Sequence, residues 1–141
     1  MDNIEMKTRC TFSNDYQPYL SLHLYAEVDT EAKASILAQA FITQLKICSP
    51  VILRSFSPYW KIPEYYDFEF DFMPNCIHDM AFDCLVGLCS QGWSFIGMLP
   101  ERTAVWNPYE EATFLTEQVR WASIELFYIN KPAILYKTAA T

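Results

Sequence analysis

Three carboxylates alternate along one stretch of this chain, in a pattern that suits the binding of cations. Asp67, Glu69 and Asp71 occupy every second position of the run YYDFEFDF, Tyr65–Phe72. In a β-strand such positions share one face, so the three side chains would be neighbours. Neighbouring carboxylates can bind Mg²⁺ or Ca²⁺, contact the Arg and Lys side chains of a partner, or simply form a soluble charged surface. A metal-dependent nuclease with this pattern normally adds a lysine, and none follows Glu69 nearby, so we predict no metal here.

No other group of residues supports catalysis. Cys76 and His78 are two positions apart near a predicted helix start, where their side chains diverge. His23 faces away from the leucines of its predicted strand, on the same side as the carboxylates. The sequence contains no P-loop, no G-x-G-x-x-G and no G-x-S-x-G motif. We therefore predict a protein that is not an enzyme and has no catalytic residues, cofactor or metal.

Four aromatic residues lie in proline-containing loops and are candidate anchors for a protein interface. They are Tyr59, Trp60, Trp106 and Tyr109. Aromatic side chains in such loops often fill pockets on a partner, although they also cap the ends of a hydrophobic core. Together with the three carboxylates, they form the predicted partner-binding site.

The charge is concentrated in one part of the chain. The formal net charge is −7, and six acidic residues fall between Glu64 and Asp83, a stretch without Lys or Arg. Such a field repels phosphates, so it disfavours nucleic acid and anionic membranes and favours a basic protein as the partner.

Sequence features also predict the compartment. The N-terminus MDNIEMKTR lacks the apolar run of a signal peptide, and the longest uncharged run, Cys84–Pro100, is short and partly polar for a membrane span. We therefore expect a cytoplasmic protein. The five cysteines form no C-x-x-C pair, so we expect them to be small apolar core residues in a reducing compartment.

Hydrophobic periodicity predicts four strands and two helices up to Met98. Alternation favours strands, and apolar residues at helical spacing favour helices, the first capped by Asp29 and the second by Asn75. The stripe of the second helix includes Met80 and Leu88. The predicted strands are Tyr19–Val28, Val51–Phe56, Tyr65–Phe72 and Trp93–Met98. We expect one core that contains Leu22, Leu24, Phe41, Phe68, Phe70, Met80 and Leu85.

The order β-α-β-β-α-β predicts an α+β fold, a ferredoxin-like two-layer sandwich formed by a single domain, residues 1–141. Pro100–Leu115 is long for a structureless loop, which indicates a function or an additional element. Glu117–Ile129 fits a C-terminal helix, which we prefer, although its β-branched and aromatic residues also suit a strand. Short strands are predicted at Cys10–Phe12 and Ala133–Lys137.

The segment WNPYEEATFL…VRWASIELF, Trp106–Phe127, is similar to segments of bacterial toxin-immunity proteins of contact-dependent inhibition and other polymorphic toxin systems. The small, acidic and aromatic-rich chain also resembles such proteins in kind. This resemblance implies a cytosolic, non-enzymatic inhibitor that binds a cognate toxin domain, often a basic nuclease. Two alternatives are a small-molecule-binding or enzymatic ferredoxin-like domain with a pocket lined by Tyr and Trp, and an acidic DNA mimic.

Overall fold

The computed structural model describes residues 16–73, 78–108 and 111–130, which form six strands and two helices. The elements are β1 (Tyr16–Glu27), α1 (Glu31–Leu45), β2 (Val51–Pro58), β3 (Tyr65–Phe72), α2 (His78–Val86), β4 (Trp93–Ile96), β5 (Arg102–Trp106) and β6 (Val119–Asn130). The predicted strands at Cys10–Phe12 and Ala133–Lys137 and the predicted cap Asn75 lie outside the described residues.

All six described strands form one antiparallel sheet in the order β2-β3-β1-β6-β5-β4. The buried residues of both helices pack against the same face of this sheet in one hydrophobic cluster. The ferredoxin-like prediction is wrong, because β6 pairs with β1 in the position that the fourth strand would take in that fold. The predicted fourth strand instead lies at the far edge, as β4.

The alternation in β3 is confirmed at every position of the predicted strand. Tyr66, Phe68, Phe70 and Phe72 are buried, and the four residues that alternate with them face the other side of the sheet. The same alternation buries the leucines of β1, and in the antiparallel register Leu22 lies opposite Phe70. Facing aromatic and aliphatic side chains of these two strands therefore form the centre of the core.

The C-terminal helix preferred for Glu117–Ile129 is wrong, because this segment forms the long strand β6. A β-bulge explains the misleading spacing. Tyr25 pairs with Trp121 but Ala26 pairs with Val119, so Arg120 is an extra residue in β6. The bulge puts Val119 and Ala122 on the same buried side, three positions apart. This spacing imitates one turn of a helix.

The long segment Pro100–Leu115 contains the strand β5, an element that the periodicity did not identify. β5 pairs with β4, which ends at Ile96 and not at Met98 as predicted. Gly92 precedes β4 with a φ of +99°, and a Cβ there would lie 2.9 Å from Trp106 Nε1. Glycine is required at this position for two reasons: other residues rarely adopt such a φ, and a Cβ would collide with the indole of Trp106.

Both predicted helices are present, with two corrections. Thr30, and not Asp29, caps α1, since the Thr30 hydroxyl accepts a hydrogen bond from the backbone N–H of Lys33 at 3.2 Å. Met80 is 62% exposed, so its predicted place in the core is wrong. The buried residues of α2 are instead Ala81, Phe82 and Leu85. The other predicted core residues are buried in one cluster.

The cysteines differ from the expectation of free thiols. Cys48, which follows α1, forms a disulfide with Cys84 in α2, and their Cα atoms are 5.5 Å apart. Cys89 is a buried free thiol. No helix among the described residues has the length and apolar character needed to span a membrane.

Candidate protein-binding face

Both described helices cover one side of the sheet, and the side chains on its opposite side form a surface that we call the open face. No described helix lies on this side. The alternation of β1, β3 and β6 sends polar and aromatic side chains to it. At its centre are Tyr19, His23, Tyr25, Asp67, Glu69, Asp71, Trp121, Ser123 and Phe127.

The three predicted carboxylates lie side by side on the open face, but each has a cationic or potentially cationic neighbour. His23 Nε2 is 2.5 Å from Asp67 Oδ1. Glu69 accepts a hydrogen bond from the hydroxyl of Ser55 at 3.1 Å and pairs with Arg54 at 3.2 Å. The carboxylates are therefore parts of a polar network and not a bare acidic surface.

Arg54 connects two of these carboxylates. It is the extra residue of a bulge in β2, where the register with β3 shifts between Leu53 and Ser55. Its Nη2 is 3.2 Å from Glu69 Oε2 and its Nη1 is 3.7 Å from Asp71 Oδ1. The latter separation is short enough for an ion pair but too long for a hydrogen bond. Asp71 Oδ1 is buried and accepts no hydrogen bond within the described part of the chain.

These surroundings move the pKa values of neighbouring carboxyls in opposite directions. Burial raises the pKa of Asp67 above its ordinary value, although His23 acts in the other direction. Burial would also raise the pKa of Glu69, but hydrogen bonds from Arg54 and Ser55 outweigh it and the pKa is lowered. Burial therefore disfavours the charged form of Asp67, whereas Arg54 and Ser55 favour the charged form of Glu69.

Stacked rings lie beside the carboxylates and form what we call the aromatic cluster: His23, Tyr25, Tyr59 and Trp121. Tyr25 is at its centre, stacked on Tyr59 with ring centroids 4.2 Å apart and on Trp121 at 4.9 Å. Burial and the adjacent Tyr59 raise the pKa of Tyr25 to about 12, so its hydroxyl stays protonated at neutral pH. The cluster presents closely packed rings together with tyrosine hydroxyl groups, a combination that suits a contact surface.

The predicted aromatic anchors are placed in different surroundings. Tyr59 belongs to the aromatic cluster, and the next residue, Trp60, is 81% exposed at its border, with Lys61 Nζ 5.2 Å from its ring centroid. Trp106 is only 1% exposed and donates its indole N–H to the carbonyl of Gln91, so its prediction as a partner contact is wrong. Tyr109 lies outside the described residues.

Sequence reasoning missed several residues of this face. The sequence placed His23 on the side of the carboxylates but not in the predicted site, and Tyr25 could have been included because it alternates with the same buried leucines. Trp121 could not be placed while its segment was interpreted as a helix. Arg54 could not be assigned to the carboxylates, because the local pattern does not show that β2 lies beside β3.

Three of the six clustered acidic residues lie elsewhere, and one of them, Glu64, lines a cleft beside α1. Asp79 and Asp83 of α2 pair with Arg102 of β5 at 3.1 and 2.8 Å. The guanidinium carbon of Arg102 also lies 4.1 Å from the centroid of the Phe82 ring, on the helix side of the sheet. The acidic stretch of the sequence is thus divided between the two layers of the fold.

A separate cleft of about 670 Å³ lies where β1 ends and α1 begins. Its walls contain the ion pairs Lys33–Asp29 and Arg120–Glu27, together with aliphatic side chains of α1 and no Tyr or Trp. The described residues contain no group of three or more His, Cys, Asp or Glu side chains that could hold a metal ion. Comparisons with protein-family models, curated proteins and solved structures returned no match, so the open face is interpreted from its own residues.

Proposed function

We propose that this chain is a non-enzymatic immunity protein that neutralises a cognate toxin domain by binding it on the open face. The observation that carries this proposal is the aromatic cluster, which lies beside a row of carboxylates on a sheet face without a described helix. Rigid aromatic side chains supply much of the binding energy in protein interfaces, and charges at their border guide association.

The chemistry of the row supports a basic partner. One guanidinium, that of Arg54, pairs with two of the three carboxylates, so the row keeps a net negative charge. Glu125 adds an exposed carboxylate to the same face of β6. The chain as a whole carries −7, which would accelerate the approach of a basic toxin domain at low salt.

The other two functions have less support. A DNA mimic would present unpaired carboxylates, whereas Arg54 lies within the row and Arg102 occupies the carboxylates of α2. A small-molecule site would be the cleft beside α1, but its two cations are already paired with two of its carboxylates.

The proposed compartment is the cytoplasm, in agreement with the resemblance to immunity proteins. The Cys48–Cys84 disulfide is, however, more typical of oxidising compartments. Rapid alkylation of thiols in intact cells tests this part of the proposal. Alkylation of both cysteines supports the cytoplasm, and protection of both from alkylation until reduction would place the protein in an oxidising compartment.

The toxin-binding proposal is tested by co-expressing the chain with its cognate toxin domain. Tyr25→Ala and Trp121→Ala should abolish protection of growth, because each removes a ring from the aromatic cluster. Ile36→Ala is the matched control, since Ile36 is an exposed apolar residue of α1 in the helix layer. Thermal unfolding must first show that each variant is folded. Full protection by both folded cluster variants would contradict the proposal.

A further inference from the structure

The edge of the sheet at β4 exposes an unusual number of large apolar side chains. Phe95 and Ile96 on the strand are 63% and 64% exposed, and Met98 and Leu99 in the following turn are 85% and 80% exposed. β4 pairs with β5 on one side only, so among the described strands it is an edge. An edge strand offers backbone N–H and C=O groups to another strand, and proteins usually protect such edges with charges or proline.

Neither protection is present in this strand. The run from Cys84 to Leu99 contains no charged residue and no proline, although the chain as a whole carries −7. Two copies of so acidic a protein repel each other over most of their surfaces, and a charge-free edge is where that repulsion is least. The opposite edge strand of the sheet, β2, contains the charged residue Arg54 and ends at Pro58.

From these observations we infer that β4 is a self-association edge, which pairs antiparallel with β4 of a second copy. Opposite residues of an antiparallel pair share a face. Phe95 then lies opposite Phe95 of the second copy on the helix side, and Ser94 lies opposite Ile96 of the second copy on the open face. The two sheets become one continuous sheet.

The dimer is small and its affinity low. A strand of four residues and a hairpin turn bury less surface than a standard interface of about 800 Å² per partner. The dimer would present two open faces side by side on one sheet. Its formation does not depend on the proposed immunity function, because its contacts are at the β4 edge and the nearest ring of the aromatic cluster, Trp121, lies on β6, two strands away.

Sedimentation equilibrium of the purified full chain tests this inference. The average mass should rise from 16.4 kDa toward twice that value between about 10 μM and about 1 mM protein, the range in which weak complexes dissociate. Phe95→Lys should weaken association at least tenfold, because it places like charges directly opposite each other. Ile36→Lys, the same kind of change at a site that is 73% exposed in α1, should leave association unchanged.

Crosslinking tests the register without relying on a disruptive variant. Under mild oxidation Phe95→Cys should form an intermolecular disulfide, whereas Ser94→Cys and the unchanged chain should crosslink far less, because Ser94 faces Ile96 of the second copy. A constant mass of 16.4 kDa at all concentrations would overturn the inference, as would equal crosslinking at positions 94 and 95. If the chain stayed monomeric and cosedimented with phosphatidylcholine vesicles, the inference would also be overturned, and the apolar edge would be a lipid-binding surface.

Discussion

At the scale of single residues, Arg54 determines the character of the open face. Without it, Glu69 and Asp71 would be adjacent carboxylates without a cation, and the hydroxyl of Tyr19 would lose a hydrogen bond of 3.2 Å. Burial and the nearby Asp71 raise the pKa of Tyr19 to about 12, so this hydroxyl remains neutral and available as an acceptor. The side chain supplied by a bulge therefore organises a polar network that extends across three strands.

Replacing Arg54 with Met should reduce the free energy of unfolding at pH 7 by about 1 kcal/mol, the upper range for a partly exposed ion pair. Arg120→Met is the control, because the Arg120–Glu27 pair at 2.8 Å is exposed and isolated from the network. We expect the control to change the free energy by less than about 0.5 kcal/mol in urea denaturation. A loss in the control as large as that in Arg54→Met would contradict the special role of the network.

Arg54→Met should also change how the free energy of unfolding depends on pH. Because Glu69 has a lower pKa in the folded chain, its stabilisation is complete above its ordinary value of 4.5 and is lost as pH falls through the folded value. The difference between the unchanged chain and Arg54→Met should therefore be largest at neutral pH and shrink below pH 4.5. Urea titrations at a series of pH values measure it, and a difference that grows toward acid pH would contradict this assignment.

At the scale of elements, period-two alternation was a reliable guide, and its interruptions explain the errors. Tyr65–Phe72 was predicted with its correct bounds and facing because no bulge interrupts its pairing with β1. β6 was missed because the extra residue Arg120 shifts the alternation. β5 was missed because five residues between loops are too few to show a period. Which strand pairs with which depends on tertiary contacts, so local pattern did not predict the sheet order.

Truncation of Phe70 tests the core that this alternation builds. Phe70 is fully buried and forms an edge-to-face contact with Phe41, so Phe70→Ala should cost on the order of 3–5 kcal/mol of unfolding free energy. Met80→Ala should cost less than about 0.5 kcal/mol, because Met80 is mostly exposed. Calorimetric unfolding compares the two, and similar losses would show that the facing of β3 or of α2 is incorrect.

The Cys48–Cys84 disulfide should stabilise the helix layer. It closes a loop with a sequence separation of 36, so Cys48→Ser with Cys84→Ser should reduce the unfolding free energy by about 2–4 kcal/mol. Adding a reductant to the unchanged chain should produce the same loss. Cys89→Ser is the control. Because Cys89 is a free thiol, this variant should keep the disulfide, and a reductant should still lower its unfolding free energy. If the reductant left the unfolding free energy of the unchanged chain the same, that result would contradict the Cys48–Cys84 disulfide.

At the scale of the whole molecule, the two layers divide the charges and the exposed rings. The helix layer neutralises Asp79 and Asp83 with Arg102, while the open face keeps a net negative row beside the aromatic cluster. The sequence placed Asp67, Glu69, Asp71 and Tyr59 in the candidate site because alternation and loop position are visible locally. It could not identify Trp121, whose strand contains a bulge, or Arg54, whose contact with the carboxylates depends on the pairing of β2 with β3.

The central claim is that a partner binds the open face, and hydroxyl-radical footprinting of the chain with and without the cognate toxin domain tests it directly. Aromatic and methionine side chains on both layers serve as probes in one experiment. The account predicts that the toxin domain lowers oxidation of Tyr59, Trp60 and Trp121, while oxidation of Met80 in the helix layer is unchanged. Protection of Met80 together with unchanged oxidation of the open-face rings would contradict it.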